Sequence, residues 1–180
     1  IKQTNPTLID DLIPGTISLG YLEKVLCLLL REGVPIRDME TILETLGDHA
    51  GALKDIDIVT EYVRQALKRT ITRRFAEANS LRVITVDPKV EDTIVASVKK
   101  SEAGSYLAMD PDLIQKIVNI TSGEIDKVKD VIPNIIILTS PIVRIYFKKL
   151  IDQFIPNITV LSYSEIDNTA QIQAIGNIAM

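Results

Sequence analysis

Apolar residues between positions 18 and 75 recur every three or four residues, the spacing of one face of an α-helix. The pattern predicts three helices with apolar stripes at residues 19–30, 36–46 and 59–71, the last continuing toward Phe75. Ser18 can cap the first helix and Gly33 can end it, while Pro35 fits the first turn of the second helix and Gly47 its end. The connections are short, so the three helices should pack on one another.

The periodicity changes after Ala76. Residues 81–86 are rich in β-branched side chains, which are typical of strands. Further short strands are predicted at residues 106–108, 135–138, 159–161 and 172–178. Between them lie helical patterns that open at Pro88, Pro111 and Pro141. We expect the first to end among Lys99, Lys100 and Gly104 and the last at about Phe154. Such alternation is typical of helices that cover a mixed or mainly parallel sheet.

The predicted fold class is therefore α+β or α/β, with an all-helical three-helix module followed by a small α/β subdomain with a mixed sheet. We expect the helical subdomain to span residues 1–78 and the α/β subdomain residues 79–180, with the boundary near residues 76–80. A connection of this kind could act as a hinge between the two modules.

Composition narrows the function classes. The chain has 180 residues, 46% of them hydrophobic and 24% charged, which is ordinary for a folded soluble protein. Its net charge of −4 gives no general attraction to nucleic acid or anionic lipid. A DNA-reading helix-turn-helix at residues 18–46 is disfavoured, because Arg37 is outnumbered by Asp38, Glu40 and Glu44. No apolar run is long enough to cross a bilayer, and the absence of an initiator Met indicates a fragment.

The residues that could carry chemistry are isolated. His49 is the only imidazole, and no nucleophile or metal-ligand set accompanies it in sequence. Cys27, the only cysteine, lies within the run VLCLLL, where we expect it to be packed in the core. Ser140 stands at a strand-to-helix junction without the flanking glycines of a nucleophile elbow, so it is interpreted as a helix cap. Asp110 and Asp112 suit the first turn of a helix better than a metal site.

These observations predict no catalytic, cofactor-binding or metal-binding residues and a protein that is not an enzyme. The competing hypothesis is an α/β enzyme with a site at the carboxyl ends of its strands. A basic cluster has two possible interpretations, a solvated helix face or a docking surface for an acidic protein. The cluster is formed by Arg64, Lys68, Arg69, Arg73 and Arg74.

Four runs carry a family resemblance: SLGYLEKVLCLLLREGVPIRDMETILETLGDHA, KDIDIVTEYVRQALKRTI, LRVITVDP and TSPIVRIYFKKLIDQFIPNITVLSYSEI. In this order and spacing, they resemble the C-terminal cytoplasmic region of the large export-gate subunit family of bacterial type III secretion. The flagellar branch is the more similar through VITVDP, TEYVRQALKR and LSYSEI, and the virulence (injectisome) branch is the alternative. One departure is Thr139, where members often have Cys before Ser-Pro.

The resemblance implies a non-enzymatic protein-export component at the cytoplasmic face of the bacterial inner membrane, anchored through an N-terminal region that this chain lacks. It implies a ring of nine subunits that binds export chaperone-substrate complexes and other export apparatus proteins, without cofactors or nucleic acid. Residues 1–78 and 79–180 would be the third and fourth cytoplasmic subdomains, and the main chaperone-docking pocket would lie largely outside this chain. Charged residues can orient such ring contacts, and the candidates are Arg31, Arg37, Asp38, Glu61 and Arg64.

Overall fold

The structure is a computed structural model that describes residues 6–102 and 104–180. The chain divides into two compact units, residues 1–75 and 76–180. The first unit is helical and the second alternates strands and helices, so the predicted α+β class is confirmed. None of the helices in the described ranges is both long and apolar enough to cross a membrane.

The helical unit contains five helices within its described residues. They are α1 (Pro6–Leu12), α2 (Leu19–Arg31), α3 (Met39–His49), α4 (Ile56–Ala66) and α5 (Lys68–Phe75). Helix α4 packs against both α2 and α3, and α1 packs against α3. The core between them is built from the buried faces of the predicted stripes, which include Val25, Leu29, Ile42, Leu46 and Val63.

Two helix boundaries differ from the prediction. Helix α3 begins at Met39 and not at Pro35, because Asp38 is its N-cap and accepts hydrogen bonds from the backbone N–H (3.3 Å) and the hydroxyl (2.9 Å) of Thr41. The third stripe is two helices, α4 and α5, interrupted at Leu67. Leu67 is buried on the same stripe as its neighbours on both helices, so the apolar pattern runs through the break without marking it.

The α/β unit is built around a four-stranded sheet. Its elements are β1 (Ser80–Val86), α6 (Pro88–Ala96), β2 (Val98–Ser101), β3 (Gly104–Leu107), α7 (Pro111–Val128), β4 (Ile136–Thr139), α8 (Pro141–Asp152), β5 (Thr159–Ser162), a 3-10 turn (Tyr163–Glu165) and β6 (Gln171–Ile178). The strand order is β5-β4-β1-β6 and each neighbouring pair is parallel, while β2 and β3 form a separate antiparallel pair. The central strands carry the core, and Ile84, Ile137 and Leu138 are fully buried.

Aspartate caps start two of the helices of this unit. Asp87 accepts the backbone N–H of Lys89, and Asp110 accepts that of Asp112, both at 2.9 Å. Asp110 therefore caps α7 and Asp112 lies in its first turn, as the sequence predicted. The prediction that the first helix ends among Lys99, Lys100 and Gly104 is wrong, because α6 ends at Ala96 and the chain turns into the β2–β3 hairpin.

The two edges of the sheet differ in burial. On β5, three of four residues are buried, whereas the first four residues of β6, Gln171 to Ala174, are exposed. Arg144 donates to the carbonyl of Val160 on β5 at 3.1 Å, and Lys148 donates to the carbonyl of Ile158 at 3.0 Å. Side chains therefore cover part of the β5 region while the first half of β6 faces solvent.

Candidate interaction surfaces

Helix α2 has an exposed apolar face. The helix buries Val25 and Leu29, while Leu19 is 69% and Leu30 53% exposed. Cys27 is also exposed, so the expectation that it packs in the core is wrong. At 100° per residue, position 27 points about 160° away from positions 25 and 29, toward the face that holds Leu19 and Leu30.

Helix α3 presents an acidic stripe. Glu40, Glu44 and Asp48 are all exposed and are spaced four residues apart, so they lie along one side of the helix. The opposite side buries Ile42 and Leu46. We call the three exposed carboxylates the acidic stripe; they give this side of the helical unit a concentrated negative charge.

Helix α5 presents the opposite charge. Its sequence, KRTITRRF, contains four cations and no carboxylate. Arg69, Arg73 and Arg74 are exposed and form what we call the basic stripe. Ile71 and Thr72 are buried, which fixes α5 with its arginines outward. The guanidinium of Arg74 lies 5.5 Å from the centroid of the Phe75 ring.

The five charged residues predicted to orient ring contacts fall into two groups. Arg31, Arg37 and Asp38 are exposed. Glu61 and Arg64 are only 7% and 1% exposed, so the expectation that they lie on an open charged edge of this unit is wrong. Nη1 of Arg64 lies 3.4 Å from the carboxylate of Glu32, the C-cap of α2, and this ion pair fastens α4 to the end of α2.

A polar cavity of about 320 Å³ lies where α3 and α5 both begin. It is lined by Asp38, Thr41, Ala66, Leu67, Lys68, Arg69 and Thr70. The cavity therefore brings the N-cap carboxylate of α3 and the first cations of α5 to one place. The break at Leu67, which the apolar pattern does not reveal, lies in the lining of this cavity.

His49 is engaged in aromatic packing. It is the last residue of α3, and its ring stacks on Tyr62 of α4 with centroids 4.3 Å apart and planes 14° apart. The stack joins the end of α3 to α4. This position gives the imidazole a structural contact, in agreement with its isolation from nucleophiles in the sequence.

Polar groups at the carboxyl ends of the strands bond to one another. Thr139 donates its hydroxyl to the carbonyl of Ser140, and the hydroxyls of Ser162 and Ser164 are 3.0 Å apart. Ser140 occupies the N-cap of α8, but its side chain makes no capping bond; its backbone N–H instead donates to the Glu91 carboxylate at 2.7 Å. These groups are used in local structure, which counts against the hypothesis of an enzyme site here.

The α/β unit also contains a buried ion pair. Arg144 of α8 and Glu165 of the 3-10 turn are both 0% exposed, with Nε and Oε1 3.9 Å apart. Glu165 also accepts the backbone N–H of Ser162 at 2.7 Å. Sequence reasoning missed this pair; the only local signal is the serine-to-glutamate spacing of a capping box. Among the described residues, no group of three or more His, Cys, Asp or Glu is placed to hold a metal ion.

A helical unit with exposed charged stripes and an α/β unit with internally bonded polar strand ends favour a protein-contact module. The FHIPEP family model matches residues 1–171, so the chain belongs to the FHIPEP family, the export-gate family that the four sequence runs resemble. The flagellar biosynthesis protein FlhA of Bacillus subtilis (strain 168) is 39% identical over 177 residues, which cover 98% of this chain and 26% of that protein.

Solved structures of type III secretion proteins share this fold. A chain in the Chlamydia pneumoniae CdsV and CdsO protein complex is 34% identical, with a TM-score of 0.86 over 99% of this chain and 52% of that one. The nonameric EscV cytosolic domain from the type III secretion system is 29% identical, with a TM-score of 0.82 over 99% of this chain and 53% of that one. This chain thus spans about a quarter of the flagellar relative and about half of each solved chain.

Proposed function

We propose that this chain is part of the cytoplasmic domain of a flagellar type III export gate, at the cytoplasmic face of the inner membrane. It serves as a non-enzymatic platform that forms a ring and docks chaperone-substrate complexes and export apparatus proteins. The observation that carries the proposal is the pair of oppositely charged, exposed stripes on one helical unit: Glu40, Glu44 and Asp48 on α3, and Arg69, Arg73 and Arg74 on α5.

A ring requires each subunit to offer two different, complementary surfaces, since its contacts run head to tail. The acidic and basic stripes meet this requirement within one unit. Arg31, Arg37 and Asp38 are also exposed and would contribute to the same contact. The nonameric assembly of the EscV cytosolic domain supports a ring of this kind.

The flagellar assignment is favoured over the injectisome alternative by the higher identity to the flagellar relative, 39% against 34% and 29% for the two secretion structures. The complex of CdsV with CdsO supports docking of an export apparatus protein. We further propose that the helical and α/β units correspond to the third and fourth cytoplasmic subdomains of the family. The main chaperone pocket would then lie outside this chain.

The test is a charge swap between the stripes. Glu44→Arg and Arg73→Glu, made singly, should each weaken self-association of the chain about fivefold or more in sedimentation velocity, because like charges then face each other. The double variant should regain most of the loss, since the pair is again complementary. In the full-length protein, each single substitution should reduce swimming motility, and the double variant should be more motile than either single variant.

The matched control is Lys129→Glu, which reverses an exposed charge in the α/β unit and should leave self-association unchanged. Association of the unaltered chain should also weaken as salt rises from about 0.1 to 0.5 M. Self-association that is insensitive to salt and to both reversals would remove the stripes from the subunit contact.

A further inference from the structure

The outer edge of β6 has no strand partner within residues 6–102 and 104–180. In that part of the chain, β6 is at the end of the sheet order and pairs with β1 alone, with Ser80 opposite Gln171 and Arg82 opposite Gln173. The N–H of Gln171 donates to the carbonyl of Asn79, so the backbone groups of Gln171 face β1. Because successive residues of a strand alternate, the N–H and C=O groups of Ile172 and Ala174 face away from the sheet.

The side chains leave this edge open on both faces. Gln171, Gln173 and Ala174 are exposed, and Ile172 is 44% exposed. Side chains on both sides of the sheet at this half-strand are therefore in solvent. Farther along, the strand is covered: α7 packs on β6, and Ile178 is fully buried. The open part is thus a short, defined stretch ahead of the bulge at Ile175.

The composition of the strand does not protect the edge. Natural sheets usually block an exposed edge with charge, proline or a bulge. The segment QIQAIGNIAM contains no charged residue and no proline, and the register shift between Val83 and Ile84 places the bulge only after Ala174. Residues 171–174 therefore form a regular, uncharged template for a further strand.

We propose that the edge of β6 at residues 171–174 binds an extended segment of an unfolded polypeptide by adding it as a fifth strand. Strand addition draws its affinity from main-chain hydrogen bonds, which every extended peptide can make, and its selectivity from alternate side-chain positions. Because residues 171–174 are uncharged and exposed, we expect the guest to be an extended, uncharged stretch. This inference rests on the proposed export role.

The probe is the acetylated, amidated nonapeptide KTVTITVTK, titrated into the ¹⁵N-labelled 180-residue chain. We expect the amides of Ile172 and Ala174 to shift and to become protected from hydrogen exchange. A peptide with N-methyl groups on alternate residues of one edge lacks those donors, and it should bind about tenfold more weakly or not at all.

Protein variants separate backbone from side-chain effects. Ile172→Pro removes an outward N–H and no bond to β1, so it should weaken peptide binding about 3- to 10-fold. Ile172→Thr keeps the N–H and the β-branch, and its affinity should stay within about threefold. Slow hydrogen exchange of the Val83 and Ile84 amides will show that the sheet of the proline variant is intact. If that variant loses its sheet, the N-methylated peptide still tests the edge of the unaltered chain.

Equal binding of the N-methylated and unmodified peptides would overturn the proposal. So would concentration-dependent shifts of Ile172 and Ala174 without peptide, since the occupant would then be a second copy of the chain. The assay contains no export component and reports on the α/β unit. If the peptide does not bind but self-association still depends on the charged stripes, only the strand-addition proposal is refuted. If the peptide binds but self-association does not depend on the stripes, only the export-platform proposal is refuted.

Discussion

Glu165→Ala removes one member of the buried pair with Arg144 and should destabilise the α/β unit more than any exposed substitution. Both side chains are 0% exposed, and Nε of Arg144 lies 3.9 Å from Oε1 of Glu165. Without the carboxylate, the buried guanidinium loses the countercharge that Glu165 supplies. Breaking a buried pair in this way typically costs about 3–5 kcal/mol.

The carboxylate also accepts the N–H of Ser162 at 2.7 Å, and losing that charged hydrogen bond adds to the cost. In a domain of this size, a loss of about 3 kcal/mol lowers the melting temperature by roughly 15 °C. We expect this shift in thermal unfolding followed by far-ultraviolet circular dichroism, together with faster hydrogen exchange at Val160 and Leu161.

Two comparisons test the reasoning. Asp126→Ala removes a partner of Lys129 from an ion pair of 2.7 Å whose side chains are 58% and 53% exposed, and it should cost about 1 kcal/mol or less. Arg144→Met combined with Glu165→Gln removes both buried charges and should recover at least half of the loss. A Glu165→Ala variant destabilised by less than about 1 kcal/mol would show that the buried guanidinium does not need this carboxylate.

Three further predictions concern the helical unit. Burial and the nearby Asp55 carboxylate raise the pKa of Tyr21, so the folded state holds that proton more tightly. The contribution of Tyr21 to the urea midpoint should therefore be constant below about pH 10 and be lost above it, and Tyr21→Phe should remove that part of the fall. Cys27 is exposed, so the folded chain should react with a thiol reagent as fast as in urea, within about tenfold; strong protection would contradict its placement. Gly33 has a φ of 71°, so Gly33→Ala should cost about 1 kcal/mol in urea unfolding, whereas no loss would show that the turn adapts.

Periodicity and caps predicted much of the fold. Helix α2 begins directly after Ser18, whose hydroxyl accepts the N–H of Tyr21 at 3.1 Å, and β1 covers the β-branched run that defined it. Strand β2 was missed because VKKS also fits the end of a helix, whereas its partner GSYL overlaps the strand predicted at residues 106–108. Local patterns therefore define elements better than they define the points where elements change.

Burial within one helix was harder to predict. The run VLCLLL is apolar on all sides, so it cannot show that Val25 and Leu29 face the core while Cys27 faces solvent. Arg64 belongs to a basic cluster in sequence, yet its partner Glu32 lies at the end of a different helix. A charged residue such as Arg64 can be buried when another part of the chain supplies its countercharge, and the sequence does not show that partner.

The strand order also has a consequence for synthesis. Strand β1 pairs on one side with β4 and on the other with β6, and about 85 residues separate β1 from β6. At roughly 5–20 residues per second, a ribosome needs about 4–17 s to make that stretch. During this time one edge of the buried strand β1 has no partner. The nascent chain can therefore aggregate through this edge until β6 has been synthesised.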